Sequence, residues 1–196
     1  MDEIIHGEAL AVLRRISDNS FDLVLTDPPY DLDEAEKDAF HAELRRVARA
    51  AIVFSPPENQ WVRPDQCGFW IKPISTKNTS RRYSRFVEMI FFYGELEWHT
   101  GRHWSQYTNV FTDLVDDETG HPFEKPTSLI CRLIENHSRP GQTILDPFVG
   151  SGTTAVVARE LGRRFLGIER DRAHVRLARA RLDATPPTPG MALAAE

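Results

Sequence analysis

Cysteine and long apolar runs are scarce in this 196-residue chain, which has two cysteines. Cys67 and Cys131 form no CxxC pair, so we expect free thiols in a reducing cytoplasm. The one suggestive histidine pair, His99 and His103, has no third ligand nearby, and we expect no bound metal. The lack of a long uncharged apolar stretch or a signal-peptide pattern predicts a cytoplasmic protein with no membrane span.

Two common phosphate-binding signatures are also missing. The chain has no GxGxxG segment after a predicted strand, and no lysine follows Gly152 as a P-loop would require. These absences disfavour an NAD-dependent oxidoreductase and a nucleoside triphosphatase. The chain does contain a different glycine turn, DPFVGSGTT at 146–154, between an apolar strand and a helix. Glycines there allow a ligand to approach the backbone closely.

Two acids accompany this glycine turn. Asp146 precedes it, and Glu169 ends the next predicted strand. An acid in the position of Glu169 can bind the hydroxyls of a ribose. Asp146 would suit an ammonium group better than a phosphate. S-adenosylmethionine has a ribose and an amino acid end but no phosphate, so the pattern predicts this cofactor.

Short apolar runs alternate with helical patterns along the chain. FDLVL (21–25) and AAIVF (50–54) are typical of buried strands, whereas DEAEKDAFHAELRRVAR (33–49) has helical spacing. This alternation predicts an α/β fold: one Rossmann-like domain with a mostly parallel central sheet and helices on both faces. We expect the domain to span 1–183 and residues 184–196 to form a disordered tail.

Three motifs resemble those of a known family when taken in their order along the chain. DPPY (27–30) comes first, HPFEKPTSLICRLI (121–134) follows much later, and the glycine turn comes directly after it. This combination resembles the amino-group DNA methyltransferases, and the permuted order, with the glycine turn last, resembles their β class. The resemblance extends from about Ile5 to Leu182. It implies methyl transfer from S-adenosylmethionine to adenine N6 or cytosine N4 in DNA.

The resemblance also implies which residues bind the cofactor. Lys125 would lie near its carboxylate, Glu169 on its ribose and Glu8 near its adenine ring. The complete implied set is Glu8, Asp27, Lys125, Thr127, Asp146, Phe148, Gly150, Ser151, Gly152, Thr153 and Glu169.

The catalytic residues implied by DPPY are Asp27, Pro28, Pro29 and Tyr30. An exocyclic amine is a poor nucleophile because its lone pair is delocalised into the base. The Asp27 carboxylate and the Pro28 carbonyl would accept its two N–H groups and favour a pyramidal nitrogen. The prolines fix φ and hold that carbonyl in place. Tyr30 would stack on a base flipped out of the duplex.

Nucleic-acid binding is predicted from the distribution of charge rather than its sum. The net charge is −5, yet residues 72–85 contain five basic side chains and no acid. The predicted DNA contacts are Lys72, Lys77, Arg81, Arg82, Tyr83 and Arg85. Family members often carry a large recognition insertion, but only an irregular segment at about 95–122 stands in that place here. Recognition must therefore be short, depend on the basic loop, or involve a second subunit, and a homodimer stays an alternative.

Several functions remain open at this level. Aspartate at the first motif position favours adenine, so a site-specific adenine-N6 methyltransferase, as found in restriction–modification systems, is the main prediction. Cytosine N4 is the first alternative. An RNA or protein-amide methyltransferase, or a nucleic-acid binder without catalytic activity, is less favoured.

Overall fold

The computed structural model describes residues 2–59, 61–72, 86–98, 107–114 and 125–186. Within these ranges the chain forms eight strands and five helices. The strands are β1 Glu3–His6, β2 Phe21–Thr26, β3 Ala48–Ser55, β4 Gln66–Ile71, β5 Val87–Gly94, β6 Val110–Phe111, β7 Thr143–Asp146 and β8 Arg164–Glu169. The helices are α1 Ala9–Leu13, α2 Glu34–Val47, α3 Thr127–His137, α4 Thr153–Glu160 and α5 Arg172–Ala184.

All eight strands belong to one sheet, in the order β1-β8-β7-β2-β3-β5-β4-β6. The five strands from β1 to β3 are mutually parallel. Strand β5 runs antiparallel to both β3 and β4, and β6 pairs parallel to β4. This topology confirms the predicted Rossmann-like fold with a mostly parallel sheet.

The helices cover the two faces of the sheet. One apolar core contains residues of α3, α4 and α5, and a second contains residues of α1 and α2. Strand β2 contributes to both cores because successive side chains in a strand point to opposite faces: Leu23 lies in the first and Val24 in the second. A central strand of this kind must be apolar on both faces, which explains the continuous run FDLVL.

Local signals set the limits of the long helix α2. The side chain of Asp33 accepts a hydrogen bond from the backbone N–H of Glu36, and the Glu36 side chain accepts one from that of Asp33. This capping box satisfies donors that the first helical turn leaves free. It starts α2 shortly after DPPY and so limits the length of the loop that carries the motif.

The predicted division into a domain at 1–183 and a tail at 184–196 stays a prediction. Helix α5 ends at Ala184, one residue beyond the predicted domain limit, and residues 187–196 of the predicted tail lie outside the described residues. The segment at 95–122 includes the short edge strand β6. Among the described residues, no helix is long and apolar enough to span a membrane.

Candidate active site and cofactor cleft

A cleft of about 1120 Å³ opens at the carboxyl ends of the parallel strands. It lies where the strand order changes direction: the chain passes from β2 to β3 on one side and from β7 to β8 on the other. Parallel α/β sheets bind ligands at such a switch point, because the two diverging connections leave a crevice between them.

Most of the predicted site residues line this cleft. All four residues of DPPY do so, and so do all the predicted cofactor residues except Thr127 and Gly152. Thr127 is the first residue of α3, and Gly152 is the N-cap of α4. Of the predicted DNA contacts, only Lys72 is among the described residues; Lys77, Arg81, Arg82, Tyr83 and Arg85 lie outside them.

Asp27 is the first residue after β2, and its carboxylate is held by a lysine. Lys125 donates a hydrogen bond to Asp27 Oδ2, and its Nζ also lies 3.2 Å from Glu88 Oε2. The side chains of Lys125 and Glu88 are each 7% exposed, whereas that of Asp27 is 24% exposed. Asp27 and Lys125 both line the cleft, whereas Glu88 does not.

Burial and charge act against each other in this cluster. Burial raises the pKa of Asp27, and the Lys125 ammonium opposes part of that rise. Burial also acts to raise the pKa of Glu88, but Lys125 and Lys72 together bring it below its usual value. Burial acts to lower the pKa of Lys125, yet the two carboxylates keep it raised. Within the cluster, the lysines and the carboxylates therefore favour each other's charged forms, whereas burial favours the neutral ones.

Tyr30 closes the cluster on the side of the cleft. Its hydroxyl lies 3.3 Å from Asp27 Oδ1 and 3.2 Å from Glu88 Oε1. Burial and the two nearby carboxylates raise its pKa far above the usual value, so the phenol remains a neutral donor. The side-chain amide of Asn59 donates to the Tyr30 carbonyl, and Ser55 donates to the Asn59 carbonyl. The loop after β3 thus fixes the backbone of the motif.

Asp146 ends β7 next to the motif and is 5% exposed. Its Oδ1 accepts hydrogen bonds from Thr26 Oγ1 at 2.8 Å and from the Phe148 backbone N–H at 3.1 Å. Burial raises the pKa of Asp146 to about 6, against the opposing effect of these hydrogen bonds. The carboxylate links the end of β2 to the glycine turn, so the two motifs share one buried group.

The glycine turn has the backbone that its sequence predicts. Gly150 and Gly152 have φ values of 51° and 92°, in the left-handed region that favours glycine. Arg181, from α5, donates to the Ser151 carbonyl and to the hydroxyls of Ser151 and Thr153, each at 3.1 Å. These hydrogen bonds from Arg181 stabilise the conformation of the turn, a role that no sequence motif indicated.

Replacing Gly152 by alanine should destabilise the protein by roughly 2–4 kcal/mol, because it adds left-handed strain to overpacking. A Cβ at this position would lie 2.8 Å from Ala178 Cβ and 3.0 Å from Ala178 Cα. Gly141→Ala is the matched control, since φ is +87° there and nothing lies within 4 Å of the added Cβ. Urea unfolding measures both variants. Equal losses of stability would show that contact with Ala178 is not the cause.

Two further acidic side chains accept hydrogen bonds from backbone N–H groups at the opposite end of the cleft. Glu169 accepts from the N–H groups of Gly150, at 3.1 Å, and Asp171, at 2.7 Å. Glu8 accepts from Leu10 and Ala11 as the N-cap of α1. A carboxylate has about four acceptor sites, so each can take these bonds and still accept from a ligand hydroxyl or amine.

The cleft fits a nucleoside with an amino acid end. Glu169 and Glu8 provide acceptors at one end, and the close backbone of the glycine turn lies in the middle. Asp146 and Asp27 provide negative charge at the other end, where an ammonium group would lie. We find no lysine in the turn to bind a phosphate, in agreement with a cofactor that lacks one.

Glu88 is the functional candidate that sequence reasoning missed. It lies within the apolar strand β5, is 5% exposed, and contacts Lys72, Lys125 and Tyr30. The available signal was an acid in the run VEMIFFYG, since a buried acid is costly unless it is paired. The sequence alone did not indicate the partner.

Comparisons with known proteins agree with this geometry. Residues 68–180 match the N6/N4 methyltransferase family model, described as DNA methylase. The Type II methyltransferase M2.DpnII of Streptococcus pneumoniae is 28% identical over 92% of this chain and 89% of its own length. The DNA adenine methyltransferase YhdJ of Escherichia coli (strain K12) is 30% identical over 92% of this chain and 82% of its own.

Solved structures show the same fold. The M1.HpyAVI–SAM complex superposes with a TM-score of 0.72 at 26% identity, covering 92% of this chain and all of that one. The cytosine-N4-specific PvuII DNA methyltransferase also gives a TM-score of 0.72, but at 16% identity, over 91% of this chain and 85% of that one. At that identity the second likeness concerns the fold alone.

Proposed function

The chain belongs to the N6/N4 DNA methylase family, and we propose that it methylates the N6 amino group of adenine in DNA. S-adenosylmethionine is its methyl donor. The observation that carries the proposal is the shared cleft: DPPY and the glycine turn line one cavity and are linked through the buried carboxylate of Asp146.

The choice of adenine rests on the motif and on the relatives. The motif begins with Asp27, and aspartate at this position favours adenine. YhdJ, at 30% identity, is named a DNA adenine methyltransferase. The cytosine-N4-specific enzyme shares only the fold at its lower identity. Cytosine N4 is therefore the second candidate.

The chain's own residues would activate and hold the target amine. A flipped base would enter the cleft beside Tyr30, whose stacking offsets part of the cost of flipping, a few kcal/mol. Asp27 and the Pro28 carbonyl would accept the two N–H groups and direct the lone pair of N6 into the cleft. The cofactor supplies a methyl group on a sulfonium, which suits direct in-line displacement. Positioning and electrostatics then account for the rate.

Asp27 is also placed to take the proton that the amine must lose. The nitrogen gains a fourth bond during transfer, and one N–H proton must then leave for the neutral methylamine to form. Burial raises the pKa of Asp27, which increases its affinity for that proton. The cleft-facing part of the side chain would then pass the proton to water.

Tyr30 is expected to act through its ring more than through its hydroxyl. Tyr30→Phe removes two long hydrogen bonds, of 3.3 and 3.2 Å, and should lower the transfer rate only a few-fold. Tyr30→Ala should cost about 1–3 kcal/mol of base binding, or roughly 10–100-fold. Single-turnover methylation of a duplex measures both variants. Similar losses in the two would rule out stacking as the role of Tyr30.

We propose that the basic segment at 72–85 contacts the phosphate backbone of the DNA. Replacing Arg81 and Arg82 by glutamine should weaken binding to all sequences alike and reduce the slope of log K against log salt by about 2. Replacing Arg15 and Arg164, which are exposed outside the segment, by glutamine is the matched control. Fluorescence anisotropy over a salt series measures the slope. An unchanged slope would exclude these two contacts.

Two further proposals concern assembly and location. With only 95–122 available for recognition, a homodimer would enlarge the surface that contacts DNA, and sedimentation with and without a duplex would test it. Action on DNA also fits the cytoplasmic location expected from the sequence.

Transfer of labelled methyl from S-adenosylmethionine to unmethylated duplex DNA tests the proposed function. Nuclease digestion and mass analysis of the nucleosides identify the product. N6-methyladenine is the expected result, and the positions modified would give the recognition sequence. N4-methylcytosine would keep the fold and the mechanism but change the base. A protein that binds the cofactor tightly yet modifies no DNA would exclude DNA as the substrate.

A further inference from the structure

Glu88 contacts both side chains that hold the Asp27 carboxylate. Lys125 binds Asp27 Oδ2, and its Nζ also lies 3.2 Å from Glu88 Oε2. The Tyr30 hydroxyl is divided between Asp27 Oδ1, at 3.3 Å, and Glu88 Oε1, at 3.2 Å. Glu88 is not among the residues that line the cleft, so it would act on the reaction through these two neighbours and through the effect of its charge on Asp27.

The surroundings make these contacts strong and directional. The Lys125 ammonium lies 5.3 Å from the centre of the Phe54 ring and 6.0 Å from that of Trp70. Lys72 donates to Glu88 Oε1 and lies 5.0 Å from the Trp70 ring. The aromatic rings add cation–π attraction to both ammonium groups, and water is largely excluded from that of Lys125, whose side chain is 7% exposed. With little water present, the position of each lysine depends on the carboxylates that surround it.

The four charges are balanced, two ammonium groups against two carboxylates. Glu88 forms an ion pair with Lys72 and also attracts Lys125 towards β5. Among the described residues, Lys125 therefore contacts one oxygen of Asp27, and the other oxygen accepts just the long hydrogen bond from Tyr30. An amino group entering the cleft would find an oxygen that is weakly occupied by these residues.

We propose that Glu88 is a positioning residue for methyl transfer: it shares Lys125 and Tyr30 with Asp27 and so leaves one oxygen of Asp27 open to the target amine. This inference deepens the proposed function and rests on the role assigned there to Asp27. Without the Glu88 charge, Lys125 would pair with Asp27 alone, and the carboxylate would bind the ammonium group more tightly than it binds the amine.

The first test is the titration of Asp27 in Glu88→Gln, followed by carboxyl-carbon NMR of protein labelled at aspartate. Among the described residues, the titratable groups that face Asp27 are Lys125, Glu88, Tyr30 and Asp146, the last at the end of the neighbouring strand β7. The variant removes one anion and leaves Lys125, so the pKa of Asp27 should fall by about one unit. The variant lacks the Glu88 carboxyl and leaves that of Asp146 unchanged. The Asp27 signal therefore reports directly how the loss of the Glu88 charge changes the pKa of Asp27.

The second test is kinetic. In Glu88→Gln we expect the single-turnover rate to fall about 10-fold at pH values above the acid limb of the pH–rate profile. The reason is that Lys125 would bind the Asp27 carboxylate and compete with the target amine. The acid limb itself should move to lower pH, and the dissociation constant of S-adenosylmethionine should change less than about 3-fold. Glu88→Asp keeps the charge and should recover most of the rate and the position of the limb.

Glu97→Gln is the matched control. Glu97 is also a partly buried acid, 22% exposed, and it pairs with Arg139 at 3.0 Å. It binds Gln142, which lies beside the amino end of β7. The cleft lies at the carboxyl ends of the parallel strands, so Glu97 is at the opposite edge of the sheet. This variant should change neither the titration of Asp27 nor the rate.

The outcomes separate this inference from the proposed function. A folded Glu88→Gln protein with the wild-type Asp27 titration and rate would overturn the inference while leaving the methyltransferase intact. A lower melting temperature with an unchanged pH profile would reduce Glu88 to a structural role and also overturn it. A wild-type protein that methylates no DNA would overturn the proposed function, and the NMR titration would still decide the role of Glu88. If Glu88→Gln does not fold, the charge-balanced double variant Glu88→Gln, Lys72→Met provides the same NMR test.

Discussion

Replacement of Asp27 by alanine is expected to lower methyl transfer by about 10³-fold or more, while cofactor affinity falls far less because Asp146 remains at the end of the cleft where the ammonium group would lie. In the proposed mechanism the carboxylate accepts a hydrogen bond from the target amine and then takes its proton. Its removal would delete an interaction that strengthens as charge develops on the nitrogen. The ribose of the cofactor would lie at the other end of the cleft, near Glu169 and Glu8, and those residues remain.

The Asp27 experiment compares two quantities in one folded variant. Isothermal titration with S-adenosylmethionine gives the binding constant, and single-turnover methylation of a duplex gives the transfer rate. Asp27→Asn is the isosteric companion: it keeps the shape but lacks the negative charge and cannot take the proton. We expect it to be nearly as inactive as Asp27→Ala. Parallel losses of binding and transfer would contradict the role of Asp27 in the chemical step.

Replacement of Lys125 by methionine should have the largest effect on the fold. Lys125 is the only described cation that contacts both Asp27 and Glu88, and its side chain is 7% exposed. Removing it leaves Glu88 with Lys72 as its ionic partner and leaves Asp27 with no cation among the described residues. Breaking a buried ion pair by deleting one member costs about 3–5 kcal/mol, because a charge is left uncompensated. Methyl transfer should fall as well, since a higher pKa of Asp27 leaves less carboxylate to accept the amine.

The loss of stability in Lys125→Met should depend on pH, and the direction of that dependence follows from the pKa of Asp27. Burial already raises the pKa of Asp27, and loss of the lysine that opposes this rise would raise it further. The folded variant then retains a proton that the unfolded chain releases above about pH 4. Its stability should therefore fall, relative to wild type, as pH rises above about 4, until Asp27 of the folded variant also loses its proton. Urea unfolding at several pH values measures this difference. A deficit that is constant with pH would contradict the ionic role of Lys125.

A replacement elsewhere separates the role of Lys125 from a general effect of losing a buried amine. Lys37 is the comparison: its side chain is 8% exposed, but its one ion pair is with the exposed Glu34. Lys37→Met leaves no buried carboxylate unpaired. We expect a change within about 1 kcal/mol, as for an exposed ion pair.

The sequence determined much of the fold and the identity of the main site residues. DPPY and the glycine turn each follow a strand directly, and the carboxyl ends of parallel strands meet at one edge of the sheet. Once the parallel sheet was predicted from alternating strands and helices, Asp27 and Asp146 had to lie at the same edge of it, and the pairing of β2 with β7 brings them close together. The left-handed glycines and the capping acids are also local features, because neighbouring residues determine backbone geometry.

Only the tertiary structure decided what surrounds Asp27. Its partners Lys125 and Glu88 lie 98 and 61 positions away along the chain, in segments whose order in the sheet cannot be read from periodicity. Glu88 reaches the site because β5 pairs antiparallel with β3 and lies second from β2. An apolar run specifies that a strand is buried, whereas its neighbours depend on the packing of the whole sheet. The charges next to the catalytic carboxylate, and with them its pKa, are therefore properties of the folded chain.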